Sequence, residues 1–199
     1  MRDDPKPTDP NTIATTISST SFLIPAPSIE TFVRLPDDNP IYSLVGQVAS
    51  DWAFIEHILD LIIWELAGIN HAKGACLTAQ ITGHHNKCDS IIALETYLGF
   101  SASTIKRVED LKGSLYNVSN PRNRIVHDPW ILIRTVNTQG LFTEPGQYKS
   151  MARRELKFGA SKADIDWIQE TISKIQSKTR ECSELRTAII SELATLPKK

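Results

Sequence analysis

Apolar residues recur at helical spacing along most of the chain, and the period changes once, near residue 130. After Asp38-Asn39-Pro40, the residues Ile41, Leu44, Val45, Val48, Trp52, Ile55, Leu59, Ile62 and Leu66 fall on one stripe, which predicts a long amphipathic helix ending near Ala67. A capping side chain followed by proline is a good helix start, because Asn39 can bond a free N–H and Pro40 has none to satisfy. Gly68 supplies the stop. Leu61, Ile63 and Trp64 spill beyond the stripe, so this helix needs cover on more than one side, and a partner chain is one way to provide it. Residues 71–82 predict a short helix or turn. Residues 86–98 predict a further helix, with Ile91, Ile92, Leu94 and Leu98 apolar and Gly99 as its end. Ser101 or Ser103 then caps a helix reaching about Val118 on Ile105, Val108, Leu111 and Leu115.

Next comes Asn120-Pro121-Arg122-Asn123-Arg124-Ile125-Val126-His127-Asp128-Pro129-Trp130, which reads as a separate short helix with both ends marked. Asn120 is its cap, Pro121 its first residue, and Pro129 pushes Asp128 out of the helical region. Asn123 and His127, four apart, share a face. A helix start here would offer free N–H groups to a phosphate, with the guanidinium of Arg122 beside them and the imidazole of His127 one turn on.

Beyond Pro129 the pattern turns to strands. Trp130 to Val136, a turn at Asn137–Gly140 and Leu141 to Thr143 predict a hairpin, Pro145-Gly146 a loop, and Arg154 to Phe158 a third short strand. Ser161, with Asp164 three residues later, opens a last helix of about 162–196 on Ile165, Ile168, Ile172, Ile175, Leu185, Ile189 and Leu193. The expected fold is therefore mainly α: an antiparallel helical bundle with a small three-strand insertion at about 130–158. Residues 1–27, rich in Thr, Ser and Pro, form an arm ahead of a domain spanning 28–199.

The formal net charge of −1 argues against a generic nucleic-acid coat, but the charge is uneven. Residues 28–119 carry six Lys/Arg against eleven Asp/Glu, a balance of −5, whereas residues 120–160 carry seven against three, a balance of +4. The basic excess surrounds the Arg122–His127 stretch, as a polyanionic substrate requires. Arg124, Arg134, Arg153, Arg154 and Lys157 are the candidate phosphate contacts, and the alternative for each is a solvated strand or helix residue. Tyr116 is a candidate to stack on a base, or simply to pack. Glu56, at the edge of the first stripe, can pair with Arg122 or orient His127; the plainer reading is a solvated flank. His84-His85 lacks companions at metal-ligand spacing, so no metal site and no cofactor is expected. Cys76, Cys88 and Cys182 are widely spaced and odd in number, reading as reduced thiols of a cytoplasmic protein. No apolar run reaches membrane-spanning length.

Arg-Asn-x-x-x-His, with an aliphatic pair before the His and a Trp soon after it, resembles the Arg-x(4–6)-His motif of HEPN domains. The resemblance implies an all-helical domain and a metal-independent endoribonuclease, with Arg122, Asn123 and His127 as catalytic residues. It further implies a homodimer whose two motifs form a composite site, RNA as substrate, and a place in toxin–antitoxin or phage-defence systems with an antitoxin or other regulatory protein as partner. The alternative is a non-catalytic HEPN-like module that binds nucleotide, RNA or a protein. Some HEPN toxins carry Arg-x(4)-His-x-Tyr, whose Tyr is modified; here Asp128-Pro129 follows His127, so that form of regulation does not carry over.

Overall fold

The computed structural model describes residues 33–137, 140–151 and 157–197; the arm at 1–27 and two of the candidate phosphate contacts, Arg153 and Arg154, lie outside the described residues. Five helices carry most of the chain: α1 (Pro40–Leu66), α2 (His71–Thr78), α3 (Gly83–Leu98), α4 (Ala102–His127) and α5 (Ile165–Leu193). Between α4 and α5 lie β2 (Trp130–Asn137), β3 (Gly140–Met151) and β4 (Lys157–Lys162); a two-residue strand, β1 (Val33–Arg34), precedes α1. The sheet is an antiparallel meander in the order β1-β2-β3-β4. The expected class, mainly helical with a small β insertion, is the one observed.

Helix α1 packs against all four other helices, while α4 packs on α3 and α5 as well. Its stripe (Val48, Ile55, Leu59 and Ile62) is fully buried and meets Ile91 of α3, Leu111 and Leu115 of α4, and Ile168, Ile175 and Ile189 of α5 in one core. Asn39 caps α1 by accepting from the Ile41 N–H at 3.0 Å. The surplus apolar residues of α1 are covered from within the chain. Trp64, 7% exposed, lies under α2, where its indole N–H donates to Thr78 Oγ1 at 3.2 Å. Ile63 is buried too, so the breadth of this face is no longer a reason to invoke a partner chain.

Gly74 is what lets α2 approach that indole. A Cβ at this position would sit 2.4–2.6 Å from three Trp64 ring atoms, closer than any side chain can approach. Gly74→Ala is therefore expected to lower unfolding free energy by about 1–3 kcal/mol, the cost of overpacking, despite alanine's better helix propensity. Urea melts compared with wild type check it; an unchanged midpoint would mean that α2 can slide away without loss.

Helix α4 is where sequence reasoning erred. It runs unbroken from Ala102 to His127, with Pro121 inside it, so Asn120 is not an N-cap and no helix begins at Arg122. An interior proline removes one backbone hydrogen bond and costs about 3 kcal/mol. Val118 and Ile125, buried on either side of it in register with Leu111 and Leu115, each contribute roughly 1.5–3 kcal/mol, and this outweighs the break. The far end is as expected: Asp128, the C-cap, has φ −76° and ψ 137°, and Pro129 follows.

Pro129 also leaves the Ile125 carbonyl without its usual N–H partner. The indole of Trp130 replaces it, donating at 2.9 Å, and Gln147 of β3 donates to the Arg124 carbonyl at 2.7 Å. These two bonds fasten the sheet to the end of α4. Pro145 and Gly146 are not a loop but part of β3, paired with Leu132 and Ile131 of β2. The Pro145 carbonyl accepts from Ala163 N–H at 2.8 Å, so its nitrogen also faces that side, past the end of β4, and interrupts no bond to β2. The third strand of the insertion, expected over 154–158, is observed over Lys157–Lys162, with 154–156 outside the described residues, and α5 starts at Ile165, with Asp164 rather than Ser161 as its cap.

Cys88 and Cys182 are buried free thiols, each pushed up to about 12 by burial; Cys76 is exposed and also free. Glu95 of α3 is fully buried, neither carboxyl oxygen has a partner among the described residues, and burial first, then Glu192, pushes it up to about 7. A folded-state pKa above the unfolded value favours folding at low pH, and that contribution is lost as pH rises from about 4.5 through 7. Glu95→Gln, which mimics the protonated acid, is expected to raise the melting temperature at pH 8 and leave it nearly unchanged at pH 5. Equal shifts at both values would show that titration of Glu95 is not the cause.

Candidate active site

Three helices bring the candidate residues together: the middle of α1, the first turn of α3 and the last two turns of α4. On α4, Arg122 is half-buried while Asn123 and His127 are exposed. Arg122 Nη1 donates to Asn123 Oδ1 at 2.8 Å and lies 3.3 Å from His127 Nε2. Arginine has no acceptor, so a hydrogen bond here has the guanidinium as its donor. The spacing predicted that Asn123 and His127 share a face; the structure adds that Arg122 reaches both.

What seats Arg122 is Trp52 of α1. The guanidinium carbon lies 5.6 Å from the indole centroid, within the range of a cation–π contact. Trp52 is 3% exposed, and its N–H donates to Glu56 Oε1 at 3.1 Å, one turn along. Burial pulls the guanidinium below arginine's ordinary range, and the Glu56 carboxylate opposes that shift. Glu56 thus sits beside Arg122 but holds it through the indole, rather than orienting His127. Arg122 Nε is buried with no partner among the described residues.

A residue that sequence reasoning considered only as a metal ligand joins this cluster. Helix α3 begins at Gly83, so His84 lies in its first turn, edge-on to Trp52 with ring centroids 5.3 Å apart and an interplanar angle of 85°. Burial holds its pKa below the ordinary histidine value; Glu56 opposes this, while His85 and Arg122 add to it. Its Nε2 is buried without a partner among the described residues. His85 points elsewhere, 3.6 Å from Asp89, and no group of metal-binding side chains occurs among the described residues. The available signal was Trp52, Glu56 and His84 at positions facing one another across α1 and α3, which needs the packing of those helices to become visible.

Behind the cluster, Lys87 is buried and bridges to Asp60 at 2.8 Å, while donating to the Glu56 carbonyl at 3.3 Å. An open groove of about 480 Å³ lies alongside, lined by Glu56, His57, Asp60, Thr82 and Lys87 among others.

The other candidates are less closely gathered. Tyr116 is 58% exposed, seven residues before Asn123 and so on nearly the same face of α4, about 10 Å along the axis. Arg124 faces the sheet, 3.4 Å from Asp128, and lines a separate hollow with Trp130, Gln147 and Trp167. Arg134 lies in β2 and Lys157 in β4. No helix among the described residues is long and apolar enough to cross a membrane.

Compared with known proteins, the chain matches no family model, no curated protein and no solved structure.

Proposed function

We propose that the chain is an endoribonuclease of the HEPN type that cleaves RNA without needing a metal, acting as a homodimer. One observation carries the reading: the guanidinium of Arg122 lies over the Trp52 ring at cation–π distance and within reach of both Asn123 and His127 at the protein surface. Transesterification of RNA requires removal of the 2′-hydroxyl proton, protonation of the leaving 5′-oxygen and a positive charge on the phosphorane. Arg122 supplies the charge. His127 transfers a proton. Asn123 fixes the guanidinium, and Tyr116 extends the same face toward a neighbouring base. The excess of basic residues over 120–160 gives the substrate a favourable approach. The homodimer, a regulatory partner and a toxin or defence setting come from the motif resemblance.

Single-stranded RNA incubated with the protein in EDTA, followed by end analysis, tests the reading. Cleavage leaving 2′,3′-cyclic phosphate ends, lost in His127→Ala, is the expected result. A folded protein that binds RNA and leaves it intact would make it a binding module instead.

A further inference from the structure

We propose that His84 is the second proton-transfer group of this site, carried by the same chain as Arg122 and His127. The proposal rests on the ribonuclease reading and deepens it by naming the group that takes the 2′-hydroxyl proton.

The geometry starts from Trp52, whose indole has His84 at 5.3 Å and the Arg122 guanidinium at 5.6 Å. Arg122 is in turn 3.3 Å from His127 Nε2, so an imidazole from α3 and another from α4 each touch one member of the Trp52–Arg122 pair. Buried polar atoms are nearly always bonded, yet this one cluster holds two that are not, His84 Nε2 and Arg122 Nε. A phosphate oxygen can accept from the second, and a ribose hydroxyl can donate to the first. His84 is also firmly placed. Lys87, one turn further along α3, is tied to Asp60 and to the Glu56 carbonyl, which locks the start of α3 onto α1.

The charged groups around His84 decide its role. Glu56 faces it from α1, Arg122 from α4 and His85 from its own helix, with the Lys87–Asp60 pair one turn away. Burial and Arg122 favour the neutral ring, and a neutral imidazole can act only as a base. His84 Nε2 takes the 2′-hydroxyl proton as the 2′-oxygen bonds to phosphorus. The bond from phosphorus to the 5′-oxygen breaks, its electron pair leaves with that oxygen, and the oxygen takes a proton from the imidazolium form of His127. A 2′,3′-cyclic phosphate and a 5′-hydroxyl result, and the two imidazoles reset by exchanging protons with water. Since His84 Nε2 is covered in the free chain, the step requires a rearrangement on RNA binding that uncovers it.

The test measures cleavage of a labelled RNA oligomer in EDTA from about pH 5 to 9 with the full chain and with His84→Gln, His127→Gln and His85→Gln. Loss of a general acid or base costs about 10²–10⁴-fold, which is expected for the first two variants, while His85→Gln stays within about twofold of wild type. The wild-type profile is expected to be bell-shaped, with His84→Gln losing the acid limb and His127→Gln the alkaline limb. A His84→Gln protein that keeps both limbs, whatever its rate, overturns the proposal and leaves the ribonuclease reading standing. A wild-type chain that leaves RNA uncut overturns both. A second measurement needs no variant: on titration with a 2′-O-methyl dinucleotide, the His84 and His127 ring resonances are expected to shift together, and a shift at His127 alone overturns the proposal.

Discussion

Arg122→Ala is expected to reduce RNA cleavage by about 10²–10³-fold, the usual consequence of removing a preorganised charge from a developing anion. Arg122→Lys is expected to stay close to the alanine variant. A lysine ammonium cannot present parallel N–H groups to two phosphate oxygens, and it would lose the planar group whose Nη1 now reaches both Asn123 and His127. Stability should change little in either variant. The guanidinium is half-buried, has an unpartnered Nε, and is held against the pull of burial, so it is poorly placed for folding and well placed to receive an anion. Rates measured in EDTA, alongside thermal melts, separate the two effects. Full activity in Arg122→Ala would remove the basis of the proposed function.

Lys87→Met is expected to destabilise the fold by about 2–3 kcal/mol. Removing one member of a buried ion pair typically costs about 3–5 kcal/mol, because the remaining charge is left desolvated. The lower figure applies here because the Asp60 side chain is 18% exposed and can recover some hydration. The double variant Lys87→Met with Asp60→Leu is expected to regain most of the loss, since an apolar pair leaves no unpaired charge. Denaturant melts of the two single variants and the double variant test this, and a Lys87→Met midpoint equal to wild type would show the bridge to be energetically neutral. Cleavage offers a second readout. The bridge sets the start of α3 against α1, so breaking it should reduce activity more than the loss of stability alone explains.

Much of the architecture was legible because it depends on local chemistry and period. The α1 stripe, the cap at Asn39, the glycine stop after Leu98 and the end of α4 at His127 each follow from a few neighbouring residues, and each appears where the pattern placed it. The change to strands after Pro129 was visible for the same reason. The errors share a cause of the opposite kind. Pro121 looked like a helix start because proline is favoured there, but Leu115, Val118 and Ile125 keep their register across it, and long-range burial outweighed one missing hydrogen bond. Pro145 looked like a loop residue until its carbonyl was seen bonded to Ala163, which turns its bare nitrogen away from β2. Trp64 looked surplus until α2 folded over it through the gap at Gly74.

The site divides along the same line. Sequence alone determined that an arginine, an asparagine and a histidine would share one end of a helix, because a helix converts spacing into direction over a turn or two. Only the tertiary structure decided that Trp52 would carry the guanidinium, that Glu56 would bond that indole, and that His84 would pack against it at right angles. Those residues lie on three different helices, and which faces meet is set by how large apolar side chains pack in the shared core, a property of the whole chain that no short stretch contains.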